Sequence, residues 1–334
     1  MRRSRRRATS TTRSWISSRT KLAGVTRRAA AAAFLVLVAA ISLLLGAFLA
    51  DPIGFVGVLG EAGLRRAGTH AESFRAPDGT RLRVLVAGPL SVERPVVLLH
   101  GLGADALYWT ETIFALRRAG RTVLAPDAPG SGGSGTPASP EGFSLPARVA
   151  AVEALATALR LDRFDLVGHS LGGATAGLFS FAHPESVGRL VLVDTAGFTA
   201  ATDAEMERFR SVTRPRDREG ARRLLDLLFF AKPFPIPGAV ADALARRYLA
   251  PNVQTTIARA GQAGVLLGRE KELPAGTALI WGAEESLFPV TDAEVAALKI
   301  RGGTLATIPG AGHDVPLEKN AEFMRALLAA LGRH

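Results

Sequence analysis

The chain has no cysteine in its 334 residues. That absence excludes a disulfide framework, a thiolate metal site and a cysteine nucleophile, and it leaves the redox compartment undetermined. Histidine is scarce as well, at His70, His100, His169, His183, His313 and His334. No two of these stand at a ligand spacing such as H-x-x-x-H, so no structural metal is expected. Acidic residues are missing altogether from residues 1–28, a segment that holds ten of the 41 Lys and Arg. The formal charge of +11 therefore belongs to that tail, and the rest of the chain lies within one charge of neutrality. A near-neutral body argues against a broad phosphate-binding face, so no nucleic-acid partner is expected.

Charge of either sign is also absent from residues 29–50, which carry Phe34-Leu35-Val36-Leu37-Val38 and Leu43-Leu44-Leu45. As a helix this stretch would be about 33 Å long, enough to cross a hydrocarbon core of about 30 Å. Ten positive charges precede it, whereas Asp51 follows it and no basic residue comes before Arg65. The expectation is a single-pass anchor with residues 1–28 cytoplasmic and the body outside. A cleaved signal peptide, releasing a secreted body, is the alternative. Against cleavage, the stretch is longer than a usual signal core and Phe48 occupies the minus-three place before Asp51. A twin-arginine signal at Thr26-Arg27-Arg28 lacks the bulky apolar pair expected after it. Residues 51–72 read as a linker, with Phe55, Val58, Leu59 and Leu64 able to form a short amphipathic helix at a membrane surface.

From residue 73 the pattern is that of a folded α/β body. Alternating runs at 73–76 and 81–86 flank Pro77-Asp78-Gly79, the signature of a hairpin. Short apolar runs fit for strands buried on both faces follow at 95–99, 122–125, 164–167, 189–193, 277–281 and 304–308. Helical patterns at 105–119, 145–161, 292–299 and 318–331 stand among them. Such alternation predicts a mainly parallel sheet with helices on both faces and ligand chemistry at its carboxyl edge. The alternation stops over 195–273, where a helical pattern is broken by the proline-rich run from Lys232 to Pro237. This reads as an insertion lying over the sheet edge, a lid suited to walling an apolar pocket; an ordinary second subdomain is the other reading. The core then comprises 73–194 and 274–334. The glycine-rich loop 130–135 lacks the ending of a P-loop and the spacing of a dinucleotide fingerprint, so it reads as a tight loop near the site mouth.

The organising stretch is Leu166-Val167-Gly168-His169-Ser170-Leu171-Gly172-Gly173. It reads as strand, sharp turn and helix, with Gly168 and Gly172 flanking Ser170 in G-x-S-x-G spacing. The residues two before and two after such a serine must be nearly side-chainless for strand and helix to pass, and the turn lifts the hydroxyl above the sheet edge. A serine hydroxyl is a weak nucleophile and needs a base, which in turn needs a carboxylate. His313, in the glycine-flanked loop Pro309-Gly310-Ala311-Gly312 at a strand end, is the candidate base. His169 reads as packing, and Asp127 as a brace for its loop.

These residues resemble the α/β-hydrolase fold superfamily of serine esterases and lipases. The resemblance rests on His100-Gly101-Leu102-Gly103, Gly168-His169-Ser170-Leu171-Gly172 and Gly310-Ala311-Gly312-His313, all in family order over residues 73–333. It implies an eight-stranded sheet with the lid after the sixth strand, and an oxyanion hole made by the backbone N–H groups of Leu102 and Leu171. It also implies hydrolysis of esters and related acyl bonds without a metal or organic cofactor. Relatives usually end the W-G-x-x-D turn with Asp where this chain has Glu285, which is expected to serve as the triad acid from one methylene further out. Asp194 is the alternative acid, since some relatives carry it there. The expected activity is hydrolysis of a small apolar ester through an acyl-enzyme on Ser170. Alternatives are a carbon–carbon bond hydrolase or cofactor-free perhydrolase on the same fold, and a non-catalytic binding domain that keeps the fold.

Overall fold

The computed structural model describes residues 34–90, 94–230, 237–260 and 264–332. Eight strands form one sheet: β1 (Thr69–Arg75), β2 (Arg81–Ala87), β3 (Val96–Leu99), β4 (Val123–Pro126), β5 (Phe164–His169), β6 (Val187–Val193), β7 (Ala278–Gly282) and β8 (Thr304–Ile308). Their order is β1-β2-β4-β3-β5-β6-β7-β8. Strand β2 is antiparallel to β1 and β4, and every other pairing is parallel. After β3 the chain goes outward to β4 and then returns across to β5. The sheet therefore reverses its winding between β3 and β5, and a crevice opens there at the carboxyl ends. Leu99 pairs with Gly168 in register, so the loop after β3 and the turn after β5 leave the sheet side by side.

Alternation along the strands sorts side chains onto two buried faces. Val96, Leu98, Val191 and Val193 pack with Trp109, Ile113 and Leu116 of helix α3 (Thr110–Arg118) and its approach, and with Phe323 and Leu327 of α12 (Asn320–Leu331). Val97, Leu99, Leu190 and Leu192 face the other way. They meet Val152 and Leu155 of α4 (Leu145–Leu159), Phe179 of α5 (Leu171–Ala182), and Ala293 and Ala296 of α10 (Val290–Lys299). With both faces covered, the central strands read as continuous apolar runs.

The helical pattern at 105–119 resolves into a 3₁₀ turn over Ala106–Trp109 followed by α3. The one expected over 318–331 divides into α11 (Val315–Glu318) and α12, with a break at Lys319. Between β6 and β7 lie four α-helices among the described residues: α6 (Asp203–Val212), α7 (Arg218–Leu228), α8 (Gly238–Leu249) and α9 (Pro251–Ala260). Most of the proline-rich run after Phe230 falls outside the described residues.

The chain divides into two compact units, 1–55 and 56–334. In the first, helix α1 (Phe34–Ala50) carries exposed apolar side chains along its length. The span expected at 29–50 is described only from Phe34. Among the described residues no single helix is long and apolar enough to cross a membrane, and α1 passes that test only together with α2 (Pro52–Arg66), as a broken pair. In the segment 51–72, expected as a linker able to form a short helix, α2 takes up Pro52–Arg66 and β1 begins at Thr69. From Val56 onward α2 belongs to the second unit, in which Gly57, Gly60 and Gly63 face Leu107, Thr110 and Phe114. Leu64 is buried in the core and Glu61 pairs with Arg83 at 2.8 Å. Small residues at helical spacing let the two helices approach closely, which the expectation of a surface helix or plain linker did not include.

Candidate active site

The turn after β5 holds Ser170 at φ 54° and ψ −119°. For a residue with a side chain this backbone costs about 1–3 kcal/mol and persists only where the surroundings hold it. Four hydrogen bonds do so. The Ser170 amide donates to the Val193 carbonyl at 2.9 Å, and its carbonyl accepts from Gly173, Ala174 and Ala196. A Cβ on Gly168 would lie 2.4 Å from the Gly172 carbonyl oxygen, and one on Gly172 would lie 2.3 Å from that of Leu99. The G-x-S-x-G spacing is thus a steric requirement of strand and helix passing each other. Helix α5 starts at Leu171, with its first amides directed to the sheet edge where the serine stands.

His313 reaches this serine from the loop after β8. Its Nε2 lies 3.0 Å from Ser170 Oγ, and its Nδ1 lies 2.5 Å from Glu285 Oε2 in the loop after β7. A carboxylate on Nδ1 fixes the proton there and leaves Nε2 free to accept one from the serine. The other Glu285 oxygen accepts the Leu287 amide at 2.6 Å, which aims the carboxylate. Burial works to lower the His313 pKa, but the charge and hydrogen bond of Glu285 prevail and raise it above its ordinary value.

Asp194, at the end of β6, does not join this chain. It is fully buried at φ 39°, and its Oδ1 accepts the Gly282 amide at 2.8 Å. Its Oδ2 has no hydrogen-bond partner among the described residues. Burial first, and then the nearby charge of Glu285, push its pKa well above the carboxylate range. Its Oδ1 is already taken by the Gly282 amide, so it is Glu285 that meets the histidine.

Two further glutamates pin the histidine loop, and sequence reading assigned them no role. Glu284 Oε2 accepts the amides of Gly310 and Ala311 at 2.9 and 3.2 Å, while Glu318 Oε1 accepts those of Gly312 and Asp314 at 2.9 and 3.2 Å. His169 stacks on Tyr108 with ring centroids 5.0 Å apart and donates from Nε2 to the His313 carbonyl at 2.9 Å. Tyr108 in turn donates to Asp314 at 3.0 Å. Nothing in local sequence spacing marks such long-range partners.

Across the crevice, His100 accepts the Ala128 amide on Nε2 at 3.1 Å and donates from Nδ1 to the Gly101 carbonyl at 2.8 Å. Burial, then the nearby charge of Arg148, push its pKa down to about 4, so the ring is a neutral structural hinge of its loop. Asp127 accepts the amides of Ala106 and Gly133 at 2.7 and 2.8 Å, which makes it the brace of both neighbouring loops. The Leu102 and Leu171 backbones lie on the two sides of the crevice, at the loop after β3 and at the start of α5. From the helical insertion, Arg247 of α8 donates to the Gly103 carbonyl and, at 2.5 Å, to Asp105, which itself caps the following 3₁₀ turn.

The insertion also supplies an apolar wall. Leu224, Leu228 and Tyr248 form a buried cluster joined by Leu102 from the loop after β3 and Leu287 from the loop after β7. Carbonyls at the end of α7 accept from the glutamate and histidine loops, from the Ser286 hydroxyl to Leu227 at 3.1 Å and from the Asp314 amide to Leu228 at 3.2 Å.

Comparison with known proteins places this geometry in context. A family model described as the alpha/beta hydrolase family matches residues 96–326, more than half of the chain. A monoacylglycerol lipase of Xenopus laevis is 26% identical over 257 residues, covering 71% of this chain and 75% of that protein. A 2-hydroxy-6-oxononadienedioate/2-hydroxy-6-oxononatrienedioate hydrolase of Escherichia coli is 29% identical over 257 residues, covering 72% and 88%. Among solved structures, a membrane phospholipase A described as a bacterial virulence factor aligns with a TM-score of 0.70 at 27% identity, covering 89% of this chain and 96% of that one.

Proposed function

The chain belongs to the alpha/beta hydrolase family, and from that membership we propose that it is a serine hydrolase cleaving carboxylic esters of small to medium apolar acids. The observation that carries the proposal is the continuous Ser170–His313–Glu285 chain, with links of 3.0 and 2.5 Å. Ser170 Oγ gives its proton to His313 Nε2 and attacks the ester carbonyl. The tetrahedral oxyanion is held by the Leu102 and Leu171 amides, helped by the positive end of the α5 dipole. The alcohol leaves with the proton from His313, and water then releases the acid by the same steps in reverse. The apolar wall of Leu224, Leu228 and Tyr248 favours an apolar acyl or alkyl group. The lipase and phospholipase names of two relatives are in keeping with it. A non-catalytic binding domain would have no use for a serine held in a strained backbone and aligned with a base and an acid.

The second reading is a carbon–carbon bond hydrolase, favoured by the name of the Escherichia coli relative. Turnover of a panel of short and medium acyl esters, set against vinylogous diketones, separates the two. Ester turnover that falls to background in Ser170→Ala supports the proposal; diketone cleavage without ester turnover sinks it.

We also propose that residues 29–50 anchor the enzyme in a membrane with the basic tail cytoplasmic and the catalytic unit outside. The charge-free helix α1 and the ten basic residues ahead of it support this orientation. Release as a secreted protein after cleavage is the alternative, and the N-terminal sequence of the mature protein decides between them.

A further inference from the structure

Arg148 stands on the first turns of α4 and is 5% exposed. Other arginines drawn into this fold have carboxylate partners: Arg121 and Arg94 pair with Asp165, and Arg83 pairs with Asp127 and Glu61. Arg148 has none. Among the described residues no carboxylate, carbonyl or hydroxyl accepts a hydrogen bond from its guanidinium. Burial alone lowers its pKa, to about 10, so it keeps its charge at neutral pH. A charge so largely withdrawn from water and without a counter-charge is costly, and a bound anion would offset that cost.

Arg148 lines a small, partly open cavity beside the nucleophile turn, bounded also by Leu99, His100, Asp127, Gly172 and Thr175. Ser170, His313, Leu102 and Leu171 do not line it. None of its polar walls supplies the missing negative charge. Asp127 is committed to Arg83 and to the amides of Ala106 and Gly133. His100 is neutral with both nitrogens engaged. Thr175 donates to the Leu171 carbonyl at 2.9 Å. The remainder is apolar, so the cavity holds one uncompensated positive charge with free donors.

We propose that Arg148 is the anchor of a second binding site, beside the catalytic residues but lined by neither Ser170 nor His313, that takes a small monovalent anion. A halide or a short carboxylate meets the guanidinium fork and balances its single charge. A dianion would reverse the imbalance within apolar walls.

The test uses the full chain in detergent and follows tryptophan fluorescence on heating. Ionic strength is held constant while bulky isethionate is replaced by chloride, bromide or acetate. The wild type is expected to gain about 3 °C in Tm in a saturable way, and Arg148→Met is expected to show no anion dependence. A response to halides alone assigns a free inorganic ion, and a stronger response to acetate assigns a carboxylate such as an acid product. Bromide-soaked wild-type crystals give a reading that does not depend on the variant folding: an anomalous peak in contact with the Arg148 guanidinium is expected. Equal melting of the wild type in all anions, equal shifts in Arg148→Met, or a cavity holding only water beside Arg148 in the bromide crystal overturns the proposal.

Discussion

At the scale of single residues, the pair Glu285 and Asp194 shows how environment assigns two carboxyls to different work. Both follow strands that end on the same sheet edge, so sequence position alone leaves either able to serve the histidine. One hydrogen bond separates them: Glu285 holds His313 Nδ1, whereas Asp194 turns to the Gly282 amide. Glu285→Gln is expected to lower kcat by about 10³- to 10⁴-fold, since an amide favours the wrong tautomer. Because Glu285 raises the His313 pKa and the active base is neutral, kcat/KM should climb with pH through a midpoint above 6.5 in the wild type. In Glu285→Gln that acid limb should move to lower pH. Asp194→Asn should keep turnover within several-fold. The folded pKa of Asp194 is raised, so this group takes stability away as pH rises above its unfolded value of 3.8. Thermal melts should therefore find Asp194→Asn no less stable than wild type at pH 7, with any advantage disappearing near pH 4.

At the scale of elements, strand alternation and the glycine spacing around Ser170 were legible because both are local. The expected run 304–308 coincides with β8, and the serine turn has the steric form its spacing demands. Gly172→Ala is expected to cost about 1–3 kcal/mol by overpacking, read as a fall in Tm, because the clash is with the Leu99 backbone and no side chain can yield. Long-range ties were not legible. The clamp from Arg247 onto Gly103 and Asp105 joins α8 to the loop after β3 across more than a hundred residues, and a charged residue on a helix carries no mark of its partner. If that clamp positions the Leu102 amide, Arg247→Met should reduce kcat about 10- to 100-fold, the loss of a hydrogen bond to a charged group. KM should change little and the far-ultraviolet circular dichroism not at all. Within 51–72 a short helix is legible from Phe55, Val58, Leu59 and Leu64, but what it packs against is not. Gly57, Gly60 and Gly63, at helical spacing, make its close-packing face.

At the scale of the whole molecule, the charge of the chain and its chemistry reside in different units. The basic tail and α1 belong to 1–55, while the sheet, the insertion and the Ser170–His313–Glu285 chain belong to 56–334. A chain lacking residues 1–50 should retain ester turnover and lose sedimentation with membranes, whereas the full chain should resist alkaline extraction. The order of strands, and with it the crevice between β3 and β5, explains why motifs separated by some seventy residues in the chain face each other in space.

Activation of Ser170 as a nucleophile can be read by intact-protein mass spectrometry after treatment with a fluorophosphonate. One adduct is expected on the wild type, located at Ser170, absent from Ser170→Ala and formed at least 100-fold more slowly in Glu285→Gln. A folded wild type that takes no adduct, or an adduct that persists in Ser170→Ala, would contradict that activation.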